Sequence, residues 1–273
     1  MIRIFSILVG LFFAAAVAWS LLWDTLQLGK DGLPRTAAHE FGKVHELKSL
    51  KLASDGPFGK FDQAQLQRGF AVYQGVCASC HSLGLVSYRS LAGLGYNEAE
   101  LKAIAAKATI NAKDPLTGEM KDRPGMVSDK FPHVVYGGVG NPPDLSLITK
   151  ARHGGARYVY SLLTGYEAQQ PAELVKKFPD AKTGEGMYYN PYFANLNIAM
   201  TPPLASDGLV TYSDGTEATK DQMARDVSAF LVWTAEPELD KRHQTGLWWI
   251  LFLVFATTLG YMAYRNIWAG KKH

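Results

Sequence analysis

The chain has 273 residues, with 28 Lys or Arg, 25 Asp or Glu, a net charge of +3 at pH 7 and only 2 Cys. Four of the basic residues lie in or beside two terminal apolar runs, so the body between them, residues 23–246, carries 24 basic and 25 acidic residues. This net charge of −1 argues against nucleic-acid binding, and it fits either a surface that attracts a basic protein or a merely neutral one. The length allows one large domain or two small ones.

The first predicted element is the apolar run Ile4–Leu22, which follows Arg3. At about 18–20 residues such a run is long enough to cross a bilayer as a helix. It is either a secretory signal with a small-residue cleavage site at Ala16–Ala18, or an uncleaved anchor, because Leu21–Trp23 prolong the apolar stretch. Residues 24–60 contain scattered Gly and Pro and are predicted to form an extended lead-in.

A helix is predicted to begin at Asp62, which can cap its N-terminus, and to carry Leu66, Phe70 and Tyr73 on one face. It leads into Cys77–His81, which reads Cys-Ala-Ser-Cys-His. C-x-x-C-H is the attachment signature of a c-type haem. Each cysteine can form a thioether with one vinyl group of the porphyrin, and the adjacent histidine then lies under the iron as its ligand.

Two other kinds of site use a C-x-x-C pair, namely a thioredoxin-like redox couple and half of a zinc site. The cysteine count excludes a four-cysteine zinc site, and a Cys2His2 site would need a suitably spaced pair of histidines as well. The residues before Cys77 are Gln74–Val76, not the Trp-Cys of many redox enzymes. We therefore predict haem attachment, which uses both cysteines and leaves none for a disulfide.

The next elements are short and separated by loops. Asn97–Glu100 resembles a capping box that opens a helix. Residues 111–149 are rich in Gly and Pro and are predicted to form a long loop region. Ala156–Thr164 is predicted to be a short helix ended by Gly165. Residues 166–218 are again predicted to be irregular.

An electron-transfer haem needs a second axial ligand, and methionine gives a higher reduction potential than a second histidine. Met200 is the strongest of the 7 methionines because Pro202 and Pro203 stiffen the loop that follows it. Met187 is the other methionine candidate, and His133 and His153 are the competing histidines. A methionine that only packs in the core is the alternative interpretation of Met200.

The last predicted elements are a helix and a second apolar run. Thr219–Gln222 resembles a capping box, and the helix that it opens ends near Glu236. Leu247–Tyr264 has no charge, is bounded by aromatic residues and is followed by Arg265, so it is predicted to be a transmembrane helix and not a buried core helix. The basic residues beside both runs predict cytoplasmic termini and an exported body.

These elements predict four segments. They are a signal peptide or N-terminal anchor (1–22), an exported haem domain (23–246), a transmembrane helix (247–264) and a cytoplasmic tail (265–273). The fold class is mainly α, because helices begin and end the body and almost no alternating strand pattern appears. We expect a cytochrome c-type domain whose long loops wrap one covalent haem, plus the C-terminal transmembrane helix.

The ordered motifs resemble the cytochrome c1 family, the haem-bearing subunits of the cytochrome bc1 complex (ubiquinol–cytochrome c reductase), in its bacterial form. The resemblance runs from about Gly56 to Trp268. The matching segments are Phe61–Arg68, Cys77–Ser82, Pro142–Ser146, Ala151–Gly155, Tyr158–Tyr166, Asn190–Phe193, Ile198–Met200, Asp207-Gly208 and Tyr212–Thr216. Many cytochromes share C-x-x-C-H, but the ordered set with a C-terminal anchor is highly specific.

The chain departs from the family pattern at two places. Thr201 follows Met200, where the family commonly has a proline, and Tyr136–Asn141 lacks the asparagine pair often found before Pro-Pro-Asp. The resemblance nevertheless implies axial ligation by His81 and Met200 and haem-propionate contacts by Arg152 and Tyr158. The implied cofactor-binding residues are Cys77, Cys80, His81, Met200, Arg152 and Tyr158. A guanidinium can pair bidentately with a propionate, whereas the alternatives are a solvated arginine and a core tyrosine.

The resemblance implies one-electron relay by a redox subunit of quinol–cytochrome c oxidoreductase that performs no bond chemistry itself. The electron comes from the Rieske iron–sulfur protein and leaves through haem c to a cytochrome c. The implied setting is a dimeric complex with the cytochrome b subunit in the bacterial inner membrane, with the haem domain periplasmic and the C-terminus cytoplasmic. Several acidic residues either steer a basic cytochrome c or are solvated helix charges: Asp207, Asp214, Glu217, Asp221 and Asp226.

Two other functions compete with this one. A stand-alone, membrane-anchored monohaem cytochrome c shuttle would have a smaller body and a flexible linker, which the 224 residues of Trp23–Gly246 disfavour. A haem-based gas sensor needs an open sixth iron site and an output domain. The Met200 loop and the short tail after Tyr264 argue against a sensor.

Overall fold

The structure is a computed structural model, and it describes residues 2–31, 35–114, 117–138 and 140–271. The helices are α1 Ile2–Asp31, α2 Ala37–Phe41, α3 Gln63–Val72, α4 Glu98–Ala106, α5 Ile148–Ala151, α6 Ala156–Leu163, α7 Ala172–Lys177, α8 Lys220–Ala235 and α9 Leu239–Trp268. The strands are β1 Thr109–Lys113, β2 Met120–Pro124, β3 Tyr188–Tyr189 and β4 Asn197–Ile198. The described chain is therefore mainly helical with little strand, as predicted. It forms two compact units, which divide after Phe41.

The first unit contains α1 and α2. Helix α1 continues nine residues beyond Leu22, so part of the predicted extended lead-in is helical. No proline occurs between Leu22 and the end of the helix, and nothing in the sequence sterically stops the helix there. The apolar stretch Arg3–Leu28 is long enough to cross a membrane, and its side chains are exposed.

The core of the second unit is the crossing of α3 and α8. Asp62 caps α3 by accepting hydrogen bonds from the backbone N–H groups of Ala64 and Gln65, which confirms the predicted start of this helix. A methyl group at Gly69 would overlap the carbonyl oxygen of Asp226, so only glycine lets the two helices approach this closely. The crossing therefore positions the chain that follows α3 against one face of α8.

The predicted inward face of α8 is buried. Phe230 packs against Phe70 and Tyr73, with ring centroids 5.6 and 5.8 Å apart. The predicted capping box at the start of α8 is only half formed. Thr219 accepts from the N–H of Gln222, but the Gln222 amide donates to Asp226 and not to the cap.

Two regions predicted as loops contain short sheets. β1 and β2 pair antiparallel, from Thr109 opposite Pro124 to Lys113 opposite Met120, so the prediction of a loop from residue 111 onward was wrong for this hairpin. Its strands carry charged side chains on both faces. The apolar alternation is confined to two half-buried residues of β1, Ile110 and Ala112, which is too short to indicate a strand. β3 and β4 form a second, two-residue pair in the predicted irregular region.

Helix α9 begins eight residues before the predicted apolar run. The membrane-length stretch is not buried in the protein, so the alternative of a buried core helix is wrong. The first turns of α9 are instead attached to the body. The Asp240 carboxylate accepts from the N–H of Phe61 at 3.0 Å, and His243 Nδ1 donates to the Gly59 carbonyl at 2.8 Å. Leu239 is buried beneath these contacts.

Candidate cofactor-binding site

A cavity of about 720 Å³ lies within the second unit. This volume falls within the roughly 300–1,000 Å³ of small-molecule and cofactor sites. Apolar side chains of α6 and α8 form much of its wall, among them Val159, Leu162, Val227 and Leu231. All six predicted cofactor-binding residues line this cavity: Cys77, Cys80, His81, Met200, Arg152 and Tyr158.

The end of α3 delivers the C-x-x-C-H motif to the cavity. The last α-helical turn passes into a wide π turn, Tyr73–Cys77, and such turns are frequent at functional sites. The Cys77 carbonyl then accepts from the N–H groups of Cys80 and His81 at 3.1 and 2.9 Å. These bonds close a tight turn whose two cysteines and histidine all lie on the cavity lining.

A backbone carbonyl orients the imidazole of His81. The His81 Nδ1 lies 2.8 Å from the carbonyl oxygen of Pro143. Because a carbonyl can only accept, Nδ1 carries the proton, and Nε2 is the nitrogen left free to ligate a metal. Pro143 is not among the predicted site residues, although the rigid Pro142-Pro143 pair is a signal in the sequence that points to it.

The segment after Pro143 is hydrogen-bonded to the segment after His81. The Asp144 carboxylate accepts from the N–H groups of Gly84 and Ser146 at 2.7 and 2.8 Å, and Leu145 donates to the Ser82 carbonyl at 2.9 Å. Burial opposes ionisation of Asp144, but hydrogen bonds from Ser146 and Gly84 outweigh it and lower the pKa of this carboxyl. The charged Asp144 carboxylate therefore fixes the backbone next to Pro143, whose carbonyl accepts from His81.

Met200 lies on the lining of the same cavity, in the loop after β4. The Tyr166 hydroxyl donates to the Met200 carbonyl at 3.0 Å. Burial raises the pKa of the Tyr166 phenol, so the phenol remains a donor. Met187 also lies on the lining, whereas the two competing histidines, His133 and His153, are absent from the described lining.

Arg152 and Tyr158 lie on opposite sides of a glycine turn. Gly154 and Gly155 both have positive φ, which favours glycine, and they reverse the chain between α5 and α6. Arg152 is exposed, whereas Tyr158 is buried in α6. Burial raises the pKa of the Tyr158 phenol despite the opposing Arg152 guanidinium, so the phenol stays protonated and can donate a hydrogen bond to an anion.

The alternatives for the cysteine pair are not supported. Burial, with a smaller contribution from Cys80, raises the pKa of the Cys77 thiol to about 12. A thiol that stays protonated is a poor nucleophile, which argues against a thioredoxin-like redox couple. In the described parts of the chain, no group of three or more His, Cys, Asp or Glu could hold a metal ion, which argues against a zinc site.

Of the five acidic residues near the Met200 loop, four are exposed and one, Asp226, is buried. Asp226 is fully buried and accepts hydrogen bonds from Gln65, Arg68 and Gln222, so it is neither a steering charge nor a solvated one. Asp214 pairs with Arg68 at 2.6 Å. Asp207 accepts from the N–H of Lys220, and Asp221 pairs with Arg225. Asp226 therefore cannot contribute to an acidic docking surface.

Comparison with known proteins identifies the family. A sequence model of the Cytochrome C1 family matches residues 52–271. The chain belongs to the cytochrome c1 family. Cytochrome c1 of Rhodospirillum rubrum is 44% identical over 234 residues, covering 80% of this chain and 86% of that protein. Mitochondrial cytochrome c1-2 heme protein of Solanum tuberosum is 46% identical over 209 residues, covering 74% and 77%. Cytochrome b/c1 of Bradyrhizobium diazoefficiens is 41% identical over 237 residues, covering 78% of this chain and 34% of that protein.

The predicted family and cofactor are thus confirmed, since haem c is the cofactor of the cytochrome c1 family. The residues present fit that group. The cavity combines an apolar wall, two cysteines, and a histidine whose Nδ1 proton is held away from the ligand position. Family membership and the exposed apolar helix α9 together indicate a membrane-anchored protein.

Proposed function

We propose that this chain is the haem c-bearing electron-transfer subunit of a ubiquinol–cytochrome c reductase, the cytochrome bc1 complex. It accepts one electron from the Rieske iron–sulfur protein and passes it to a cytochrome c. The observation that carries the proposal is that the C-x-x-C-H motif and Met200 line one cavity in a chain of the cytochrome c1 family. The chain is a redox subunit, and the quinol chemistry takes place elsewhere in the complex.

Different side chains of the cavity would hold different parts of the cofactor. When bound, haem c supplies a one-electron iron couple. Cys77 and Cys80 would hold it by thioethers, and His81 and Met200 would ligate its iron. The apolar wall excludes water and, together with methionine ligation, favours the reduced state. No residue needs to act as an acid or a base.

Arg152 and Tyr158 would bind the haem propionates. The exposed guanidinium can form a charge-assisted pair with a carboxylate, and the protonated phenol can donate to one. This assignment also explains why a basic and a phenolic side chain sit together on an otherwise largely apolar lining.

The attachment of α9 supports a subunit of a complex over a stand-alone shuttle. Only three residues, Glu236–Glu238, connect α8 to α9. Glu236 also pairs with Lys150 at 2.7 Å and with Arg242, so the connection is itself tied to the body and to α9. A shuttle that carries electrons between distant partners needs a flexible linker. The described connection between α8 and α9 is too short and too well bonded to serve as one.

The proposed setting follows from the segments at either end of the chain. We assign residues 1–22 to a signal peptide or N-terminal anchor, 23–246 to a periplasmic haem domain, 247–264 to a transmembrane helix and 265–273 to a cytoplasmic tail. The basic residues that flank the apolar runs support this orientation. The proposed partners in the bacterial inner membrane are the cytochrome b subunit and the Rieske protein, within a dimeric complex. The Bradyrhizobium relative, named cytochrome b/c1, supports the pairing with cytochrome b.

The experiment that tests the proposal is purification of the tagged full-length chain from gently solubilised membranes. Reduced-minus-oxidised spectra are recorded, and quinol-dependent reduction of cytochrome c is assayed. We expect co-purified b haem, a Rieske-type signal and inhibitor-sensitive turnover. A lone c-type haem without quinol activity, under conditions that keep membrane complexes intact, would overturn the proposal in favour of the anchored shuttle.

A further inference from the structure

The Met200 loop is attached to the body at both ends but has few hydrogen bonds at its centre. On the N-terminal side, Ile198 is paired with Tyr188 in the short β3–β4 sheet. On the C-terminal side, Leu204 is buried in the core. Between them, Pro202 and Pro203 have no N–H groups to donate, so backbone hydrogen bonds cannot fix that part of the loop.

One side chain reaches the centre of this loop from a distant element. Among the described contacts, the hydrogen bond from the Tyr166 hydroxyl is the one that reaches the Met200 backbone, at 3.0 Å and across 34 residues of sequence. Tyr166 lies just beyond the end of α6, and its ring is half-buried.

The position of Tyr166 is itself constrained. The neighbouring Gly165 is packed so tightly that a methyl group there would lie 2.5 Å from the Ser161 carbonyl oxygen and would overlap the Tyr192 ring. Tyr192 and Ser161 are buried parts of the body. The hydroxyl of Tyr166 is therefore presented to the loop by a rigid support.

We propose that Tyr166 is a positioning residue that holds the Met200 sulfur in its ligating position by bonding the Met200 backbone. This inference rests on the proposed function, because it takes Met200 as an axial ligand. The hydrogen bond lowers the population of loop conformations in which the sulfur leaves the iron. Tyr166 thereby affects how firmly the sixth position is closed without touching the haem.

The test compares Tyr166→Phe with the wild-type chain in the purified full-length complex. The first readout is the apparent affinity of the ferric haem for imidazole, which competes with Met200 for the sixth position. The second is the far-red charge-transfer band that methionine-ligated ferric haem shows. We expect imidazole affinity to rise about fivefold, the factor that the loss of one neutral hydrogen bond gives in an equilibrium constant. We expect the band to weaken in parallel.

Tyr188→Phe is the matched control. Tyr188 also lies next to the loop, in β3, but its side chain is exposed and its hydroxyl makes no described hydrogen bond. We expect imidazole affinity and the band to stay at wild-type values. An equal effect of Tyr188→Phe and Tyr166→Phe would overturn the inference, because the effect would then not depend on the hydrogen bond.

The outcomes separate this inference from the proposed function. If the wild-type chain lacks the methionine band, the assignment of Met200 fails, and the inference fails with it. If the wild type shows the band, Met200→Leu loses it and Tyr166→Phe is unchanged in both readouts, the inference alone is wrong. The substitution removes one oxygen and keeps the ring, so we expect wild-type haem content. Loss of haem from Tyr166→Phe would contradict a role confined to Met200.

Discussion

The lining around His81, called here the histidine wall, and the lining around Met200, the methionine wall, are held in different ways. On the wall that carries His81, the imidazole donates to Pro143, and the backbone carbonyl of His81 accepts from the Tyr73 hydroxyl at 2.9 Å. On the wall that carries Met200, the described hydrogen bond to the methionine backbone comes from Tyr166. His81 is therefore held by hydrogen bonds at both its side chain and its backbone, whereas the described bond at Met200 is made by its backbone alone.

The difference follows from where each ligand lies in the chain. His81 closes the tight turn that follows the π turn Tyr73–Cys77, and the segment after His81 is hydrogen-bonded to the segment after Pro143. Met200 follows the two-residue strand β4 and precedes a pair of prolines. We infer that the histidine wall determines where the cofactor sits, and that the methionine wall determines how firmly its sixth position is closed.

The largest expected effect comes from removing the covalent attachment at the histidine wall. In Cys80→Ala, one thioether is lost, and we expect most of the haem c signal of the denatured chain to disappear along with quinol-dependent turnover. The measurement is haem staining of the chain after denaturing electrophoresis. Retention of a full covalent haem signal would contradict the role of Cys80.

A change at the helix crossing should damage both walls equally. In Gly69→Ala, the added methyl group overlaps the Asp226 carbonyl, so α3 and α8 must separate. We expect the free energy of unfolding to fall by about 1–3 kcal/mol, as in other overpacked cores. Thermal loss of the haem spectrum measures this effect. Ala71→Gly, on the same helix, is the contrasting variant, because it adds no volume and should cost only about 1 kcal/mol.

Removing the methionine ligand should affect only the second wall. In Met200→Leu, we expect the haem to remain covalently attached but to lose its charge-transfer band. The reduction potential should fall by a fraction of the roughly 0.8 V that axial ligands span. A redox titration measures this potential. Met120→Leu, an exposed position on β2, is the control and should behave as wild type.

Met187→Leu is the variant that could contradict this assignment, because Met187 also lies on the cavity lining. If Met187→Leu lost the band and Met200→Leu kept it, the ligand would be Met187. The loop before β3, and not the loop after β4, would then carry the methionine ligand.

The smallest expected effect comes from the support of the histidine wall. The folded-state pKa of Asp144 is lowered from its usual 3.8, so its stabilising contribution is complete above that value and is lost as the pH falls through the lower folded-state pKa. In Asp144→Asn, we expect a loss of about 1 kcal/mol at neutral pH and a weaker dependence of stability on acid. The measurement is a titration of the haem spectrum below pH 5 in the wild type and in Asp144→Asn. Identical acid profiles in the two proteins would contradict the prediction.

The local features of the fold could be predicted from the sequence. Asp62, the Asn97–Glu100 capping box and the inward face of α8 are all determined by neighbouring residues, and the structure has them as predicted. The hairpin β1–β2 could not be predicted, because its apolar alternation is confined to Ile110 and Ala112 of β1 and its other strand is charged on both faces.

The candidate site was predictable only in part. The C-x-x-C-H motif carries its own chemistry, and the resemblance supplied Arg152 and Tyr158. The supports behind the ligands could not be found this way. Pro143 lies 62 residues from His81, and Tyr166 lies 34 residues from Met200. Hydrogen bonds between positions so far apart leave no pattern in a single sequence. The burial of Asp226 escaped prediction for the same reason, since its partner Arg68 lies on another helix.

The short connection into α9 has a consequence for the way partners find the cavity. With α9 in the membrane, as proposed, the contacts of its first turns limit swinging of the body and so restrict the height and inclination of the cavity above the bilayer. A partner anchored in the same bilayer therefore meets it by lateral diffusion and by rotation about the membrane normal alone. A water-soluble partner must instead orient itself in three dimensions. The short connection into α9 thus simplifies the encounter with the membrane-anchored partner. The encounter with the water-soluble partner depends on the shape and charge of the surface around the cavity.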